Sequence, residues 1–305
     1  MKFLNTGDKV FKTMTLLFAF FVFALVFVMA YEMIHGSSAS IQKFGWKFLT
    51  GTVWDPVMDV YGAWPYIFGT LVSSMLALLL AFPLSIGVAI FLAELAPHWI
   101  EQPVSFLVEL LAAIPSIVYG LWGIFVLVPW LRNSVEPVLI EYLDVLPFFR
   151  GTPYGFGMLA AGIILAIMIL PIISSISRDI LRAIPQTQRE AALALGATKW
   201  EAIKIVIADG KSGLLGATLL GLGRAVGETM AVTMVIGNRP EISASLLDPS
   251  HSMASVIANE FAEATTDLYT SSLIEMAFIL FIITIILNVA ARLIVWSITK
   301  KFKTA

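Results

Sequence analysis

The chain has 305 residues, of which 59% are hydrophobic and 13% charged, with a net charge of −2 and no cysteine; its mean hydropathy is +0.90. A charged share about half the globular norm, together with apolar runs that no compact soluble domain has room to bury, defines an all-α integral membrane protein. The absence of cysteine excludes disulfides, thiolate nucleophiles, zinc–thiolate sites and iron–sulfur clusters, and basic residues scattered at the ends of apolar runs exclude a nucleic-acid footprint.

Windows of roughly 20 apolar residues predict six transmembrane helices, near 13–34, 66–95, 104–131, 156–177, 213–237 and 272–297. The first is too long for a signal-peptide core and lacks a cleavage site, so it reads as a retained anchor. Lys2, Lys9 and Lys12 precede it, Arg178, Arg182, Arg189, Lys199, Lys204 and Lys211 fill the segment between spans four and five, and Lys300, Lys301 and Lys303 close the chain. The opposite loops carry fewer basic residues, Lys43, Lys47, Arg132, Arg150 and Arg239, so the positive-inside rule puts both termini in the cytoplasm.

The outer loops hold much of the acid, including Asp55, Asp59, Glu136, Glu141, Glu241, Asp248 and Glu260. Met253, Val256, Ile257 and Phe261 recur there at helical spacing and predict a short helix over the outer mouth. Pro83, Pro115 and Pro171 fall inside spans, where each removes a backbone donor and bends the helix. His35, His98 and His251 lie far apart with no metal-ligand spacing; surface or interfacial positions are expected for them, and no metal or cofactor.

The segment between spans four and five favours two short helices hinged at a glycine. Pro185 opens the first, Gln186–Leu195 continues it with Ala191, Ala192 and Ala194 on a flat surface, and Gly196 ends it. Trp200, Ile203 and Ile207 give the second an apolar face. Gly210-Lys211-Ser212 is no P-loop: the earlier glycine is replaced by Ile205 and no strand precedes it.

Span five, 213–237, holds just two charges, Arg224 and Glu228. On a continuous helix Gly216, Gly223 and Gly227 fall within about 40° of one another, a strip where a neighbouring helix can approach closely. Arg224 and Glu228 occupy the adjacent stripe. An arginine at membrane depth costs at least ~2.5 kcal/mol unless it faces protein or water, which leaves two readings: a buried ion pair locking span five to its neighbours, or a stripe lining a path for an anion, with the guanidinium as its donor. Ser73, Ser74 and Ser116 offer hydroxyls to such a path, or bond back to their own helices.

Glu190-Ala191-Ala192, followed after three residues by Gly196, resembles the EAA motif of ABC-importer permeases, in the loop and on the face where that family carries it. The likeness extends through "GTLVSSMLALLLAFPLSIGVAIFLAELAP", "LLAAIPSIVYGLWGIF", "GLGRAVGETMAVTMVIGN" and "MASVIANEFAEA" to the phosphate-specific permeases of that family. One departure is Val206-Ile207-Ala208-Asp209, where the family pattern ends in a proline.

The resemblance implies a type I ABC-importer permease fold, with an N-terminal anchor and first outer loop (1–65), a core permease domain (66–297) holding the coupling loop 178–212, and a cytoplasmic tail (298–305). It implies a bacterial inner-membrane location, a second homologous permease subunit, two ATPase subunits docked through Glu190, Ala191, Ala192 and Gly196, and an extracytoplasmic phosphate-binding protein. The chain itself would hydrolyse no ATP. Sulfate or molybdate in place of phosphate, the companion phosphate permease, and a secondary transporter or membrane enzyme are the alternatives; the last class has no need of a docking loop.

Overall fold

Long runs of leucine, isoleucine, alanine and phenylalanine satisfy their backbone in lipid only as helix, and in the computed structural model, which describes residues 6–303, six helices of 26 to 32 residues are apolar enough to cross a membrane. The crossings are α1 (Thr6–Gly36), α4 (Trp64–Leu95), α6 (Ser116–Leu143), α7 (Met158–Ala183), α9 (Lys199–Val226) and the first part of α12 (Asp267–Lys303). Between them lie α2 (Ser38–Phe44), α3 (Lys47–Thr50), α5 (His98–Ala113), α8 (Gln186–Ala194), α10 (Met230–Val235) and α11 (Met253–Glu260). Lys2 and the last two residues of the expected tail lie outside the described residues.

Two expected spans are corrected. The apolar run 104–131 breaks at Ile114 and Pro115, both extended, because proline lacks the N–H and drives the residue before it out of the helical region. Its first part is therefore the separate helix α5, and the crossing helix α6 starts at Ser116. The run 213–237 is likewise two helices: α9 stops at Val226, and α10 restarts after Gly227-Glu228-Thr229.

Burial ranks the crossings. In α7, 61% of the most apolar stretch is buried, against none of the corresponding stretch of α1; α7 is the central post and α1 a peripheral anchor whose phenylalanines face outward. Small residues bring α4 against α7: Ala77, Ala81, Ala160 and Ala161 are fully buried, and a methyl group added at Gly162 would lie 2.5 Å from Leu76 Cδ2.

The loops expected on the outer side fold down onto this bundle. α11 packs over the mouth with Met253 and Val256 buried, and the Met253 amide donates to Thr70 Oγ1 of α4 at 2.9 Å. Glu260 at its end accepts from Trp54 Nε1 at 2.7 Å and from the Tyr269 hydroxyl at 2.6 Å, stapling the first outer loop to α12. Burial among these rings, with Asp59 beside it, pushes the Tyr61 hydroxyl up to about 12.

The expected surface position of His251 is overturned: it is 3% exposed, edge-on to the Tyr66 ring at 5.1 Å. Its carbonyl occupies the space a Cβ would take at Gly69, so glycine there admits the loop, and burial pushes the imidazole down to about 4.

Candidate functional site

The interruption of span five organises the site. Gly227 and Thr229 are poor helix formers, and Glu228 lends its carboxylate to the start of the next helix, accepting from the Ala231 amide at 3.4 Å. Glu228 is 9% exposed. Broken helices at membrane depth persist only where the freed backbone is buried in protein or lines a cavity.

Arg224, in the last turn of α9, is exposed and within electrostatic reach of Tyr119. Among the described residues it makes no hydrogen bond or ion pair, with Glu228 or any other group. The ion-pair reading of the sequence is thus not realised in this chain. The Tyr119 hydroxyl donates to Leu111 O at 2.8 Å, across the break between α5 and α6. Ser116, half-buried, stands one turn before Tyr119 on α6. Ser73 and Ser74 are elsewhere: both are buried in α4, where Ser73 donates to Gly69 O at 2.7 Å and Ser74 to Thr70 O.

The expected glycine strip is loosely packed: Gly216 and Gly223 are half-buried, and Gly223 lines a narrow cleft against Thr284, Leu287 and Ala291 of α12. A methyl group added at Gly216 or Gly223 would meet nothing within 4 Å, and one at Gly227 only its own helix at 3.7 Å. The close seam inside the chain is on another face of α9, where a methyl group at Gly213 would lie 2.8 Å from Ile180 and one at Gly221 would lie 2.6 Å from Ile173 of α7.

Between α7 and α9, α8 is a short helix that turns through Gly196, whose φ of +84° is left-handed. Thr198 then caps α9 reciprocally with Glu201. The second helix expected in this segment is the start of α9, so it runs unbroken from the loop to Arg224. Glu190, Ala191 and Gly196 are exposed, as are Leu193, Leu195 and Trp200 around them, while Ala192 packs inward.

Sequence reasoning missed what holds this knob. Arg189 of α8 bonds both oxygens of Glu94 at the end of α4, at 2.5 and 3.0 Å, and donates to the carbonyls of Leu181 and Ile184 at 2.8 Å each. The bonds to Glu94 raise its own pKa further, against the effect of burial. Arg182 pairs with Glu101 of α5, holding that carboxyl below its usual range, and Arg178 binds Glu109 at 3.1 Å and Asp179 at 2.8 Å. The i,i+4 spacing of Arg178 and Arg182 and the i,i+8 spacing of Glu101 and Glu109 were the available signals.

Six crossings, one of them a central post, with an exposed helical knob between the fourth and fifth, define a polytopic helical membrane protein. The family model described as "Binding-protein-dependent transport system inner membrane component" matches residues 85–303, and the chain belongs to that family of ABC-importer permeases. It is 47% identical over 293 residues to "Phosphate transport system permease protein PstC" of Haemophilus influenzae, covering 94% of this chain and 93% of that protein. It is 35% identical to "Probable phosphate transport system permease protein PstC" of Methanocaldococcus jannaschii, covering 94% and 93%. Among solved structures, one titled "Inward facing conformations of the MetNI methionine ABC transporter" aligns with a TM-score of 0.59 at 19% identity, covering 81% of this chain and 99% of that one. The fold is that of an ABC-importer permease.

Proposed function

We propose that the chain is the permease subunit of an ATP-driven importer of inorganic phosphate in a bacterial inner membrane, with both termini cytoplasmic, and that Arg224 meets the passing anion. The observation that carries this reading is an exposed arginine that makes no hydrogen bond or ion pair among the described residues, at a break in span five, on the same continuous helix that begins at the knob. A guanidinium in that place presents planar donors to an oxyanion, and Glu228, committed to the α10 start, leaves them free.

Motion has a physical route. An ATPase cleft that grips Glu190, Ala191, Ala192 and Gly196 displaces α8; Arg189 and Glu94 carry part of the displacement to α4, and the rigid length of α9 carries the rest to Arg224. The Gly227–Thr229 break is where α9 tilts without dragging α10 and the outer lid. The loosely packed strip of Gly216, Gly223 and Gly227 leaves room for a second permease subunit to approach at short distance, closing the path between them, and the acidic outer face receives the phosphate-binding protein. Ser116 stands near the path; the buried, back-bonded Ser73 and Ser74 stabilise α4.

Uptake of labelled phosphate and labelled sulfate by the complex reconstituted with its ATPase and binding protein tests the reading. ATP-dependent phosphate uptake with no sulfate uptake is expected; the reverse overturns the substrate assignment, and uptake without the ATPase overturns the importer.

A further inference from the structure

The outer surface is acidic, yet one cavity in it is basic. About 640 Å3 in volume, it is lined by Arg132, Arg239, Thr152, Tyr154 and Asn238 among others, and by no carboxylate. Arg132, Thr152 and Tyr154 are exposed, and among the described residues their side chains make no hydrogen bond or ion pair. Arg239 has one partner, Glu241 at 3.1 Å; both side chains are more than half exposed, 55% and 63%, so the pair is weak and open to exchange.

The walls are fixed in place. Gly155, at a φ of +77°, brings loop 152–156 against Val128 and Arg132 where any side chain would clash, and its amide donates at 2.9 Å to the buried carboxylate of Glu136. Opposite, Asn238 donates to Thr233 O at 2.9 Å and accepts from the Ser255 hydroxyl at 3.0 Å, while the Arg239 amide donates to Ser250 O at 3.1 Å. The other carboxylate nearby, Asp248, accepts from the Ser243 hydroxyl at 2.5 Å. Glu136 and Asp248 are thus used to build the walls, and among the described residues the exposed Glu241 is the one carboxylate paired with either guanidinium.

We propose that this cavity is the outer receiving site for a tetrahedral oxyanion, where Arg132 and Arg239 hold the ion between its release from the binding protein and its passage to Arg224. The proposal rests on the function given above and extends it to a second site at the outer end of α6 and α10. A cavity of one sign in a surface of the other concentrates the attracted ion there and keeps it from escaping outward. Exchange of Arg239 between Glu241 and the ion keeps the hold weak enough for release inward.

The test uses the assembled importer in proteoliposomes with saturating phosphate-loaded binding protein, comparing wild type with Arg132→Gln/Arg239→Gln and with Arg132→Lys/Arg239→Lys. Phosphate imported per ATP hydrolysed is expected to fall about tenfold in the glutamine variant and to stay near wild type in the lysine variant. Stimulation of the ATPase and affinity for the binding protein are expected to stay within about twofold of wild type. If the double variant does not assemble, Arg132→Gln alone carries the test, since among the described residues that guanidinium makes no hydrogen bond or ion pair and glutamine keeps the Cβ that packs against Gly155. Unchanged import overturns the site, as does a fall matched by weakened binding-protein affinity, which makes the arginines docking residues. If wild type imports sulfate and no phosphate, the substrate assignment fails, and the same charge dependence is read on sulfate, where its absence overturns the site.

Discussion

Arg178, Arg182 and Arg189 around α8 and Arg224 near the end of α9 carry the same group into opposite circumstances. The first three bond to Glu109, Glu101 and Glu94, and Arg182 and Arg189 bond to nearby carbonyls as well; Arg224, in the last turn of α9, has no such partner among the described residues. Guanidiniums committed to carboxylates join helices and have little left for an ion in transit. One left free at membrane depth has to be solvated by water or by what passes, and in the function proposed above the difference separates the fastening of α8 from the path.

Breaking the fastening is expected to have the largest effect on stability. Arg189 and Glu94 are 13% and 8% exposed, so Glu94→Gln leaves a nearly buried charge unpaired and lowers unfolding stability by ~3–5 kcal/mol; the exchange Glu94→Arg with Arg189→Glu recovers part of it. Thermal melts of the purified complex measure both, and a melt of Glu94→Gln indistinguishable from wild type contradicts the fastening role.

His251 gives a somewhat smaller effect with a defined pH window. Its folded pKa of about 4 lies below the ordinary 6.5, so between these values the unfolded chain binds the extra proton. Stability therefore falls as pH drops from 6.5 toward 4, by at most about 3 kcal/mol from this residue, and changes no further below. His251→Gln is expected to flatten that part of the stability–pH curve; an unchanged slope contradicts the burial argument.

The two faces of α9 give the smallest effects. Gly221→Ala forces a methyl group against Ile173 and is expected to cost ~1–3 kcal/mol in the isolated chain. Gly216→Ala meets nothing within 4 Å and is expected to leave that stability unchanged or raised by up to about 1 kcal/mol, while weakening association with the second permease in a pull-down. Equal melts for the two variants erase the distinction between inner seam and outer strip.

Much of this was legible in the chain because it is local. The EAA spacing, the glycine turn before Thr198 and the apolar runs identify the knob and the number of crossings without knowledge of any partner. The break at Pro115 was half legible: the proline was visible, but a hydropathy window counts α5 and α6 as one run since Ile114 and Pro115 are themselves apolar. The Gly227–Thr229 break hid for a similar reason, because a three-residue interruption barely lowers the average of an apolar stretch.

Other features depend on residues brought together by the fold. Glu94 and Arg189 are 95 positions apart and Glu109 and Arg178 are 69 apart, so no local pattern pairs them. His251 is buried because its loop settles on Gly69, and Arg132 and Arg239 share a cavity only once the loop after α6 and the turn after α10 are folded. The free state of Arg224 belongs here too: the helix that would have presented Glu228 to it ends two residues too early.

The most direct measurement is phosphate import by the assembled complex carrying Arg224→Gln, with stimulated ATP hydrolysis recorded in the same vesicles. The expected result is import reduced to background while assembly and binding-protein-stimulated hydrolysis persist, separating a lost ion contact from a lost drive. Import at the wild-type rate, or import and hydrolysis lost together, contradicts the assignment of Arg224 to the path.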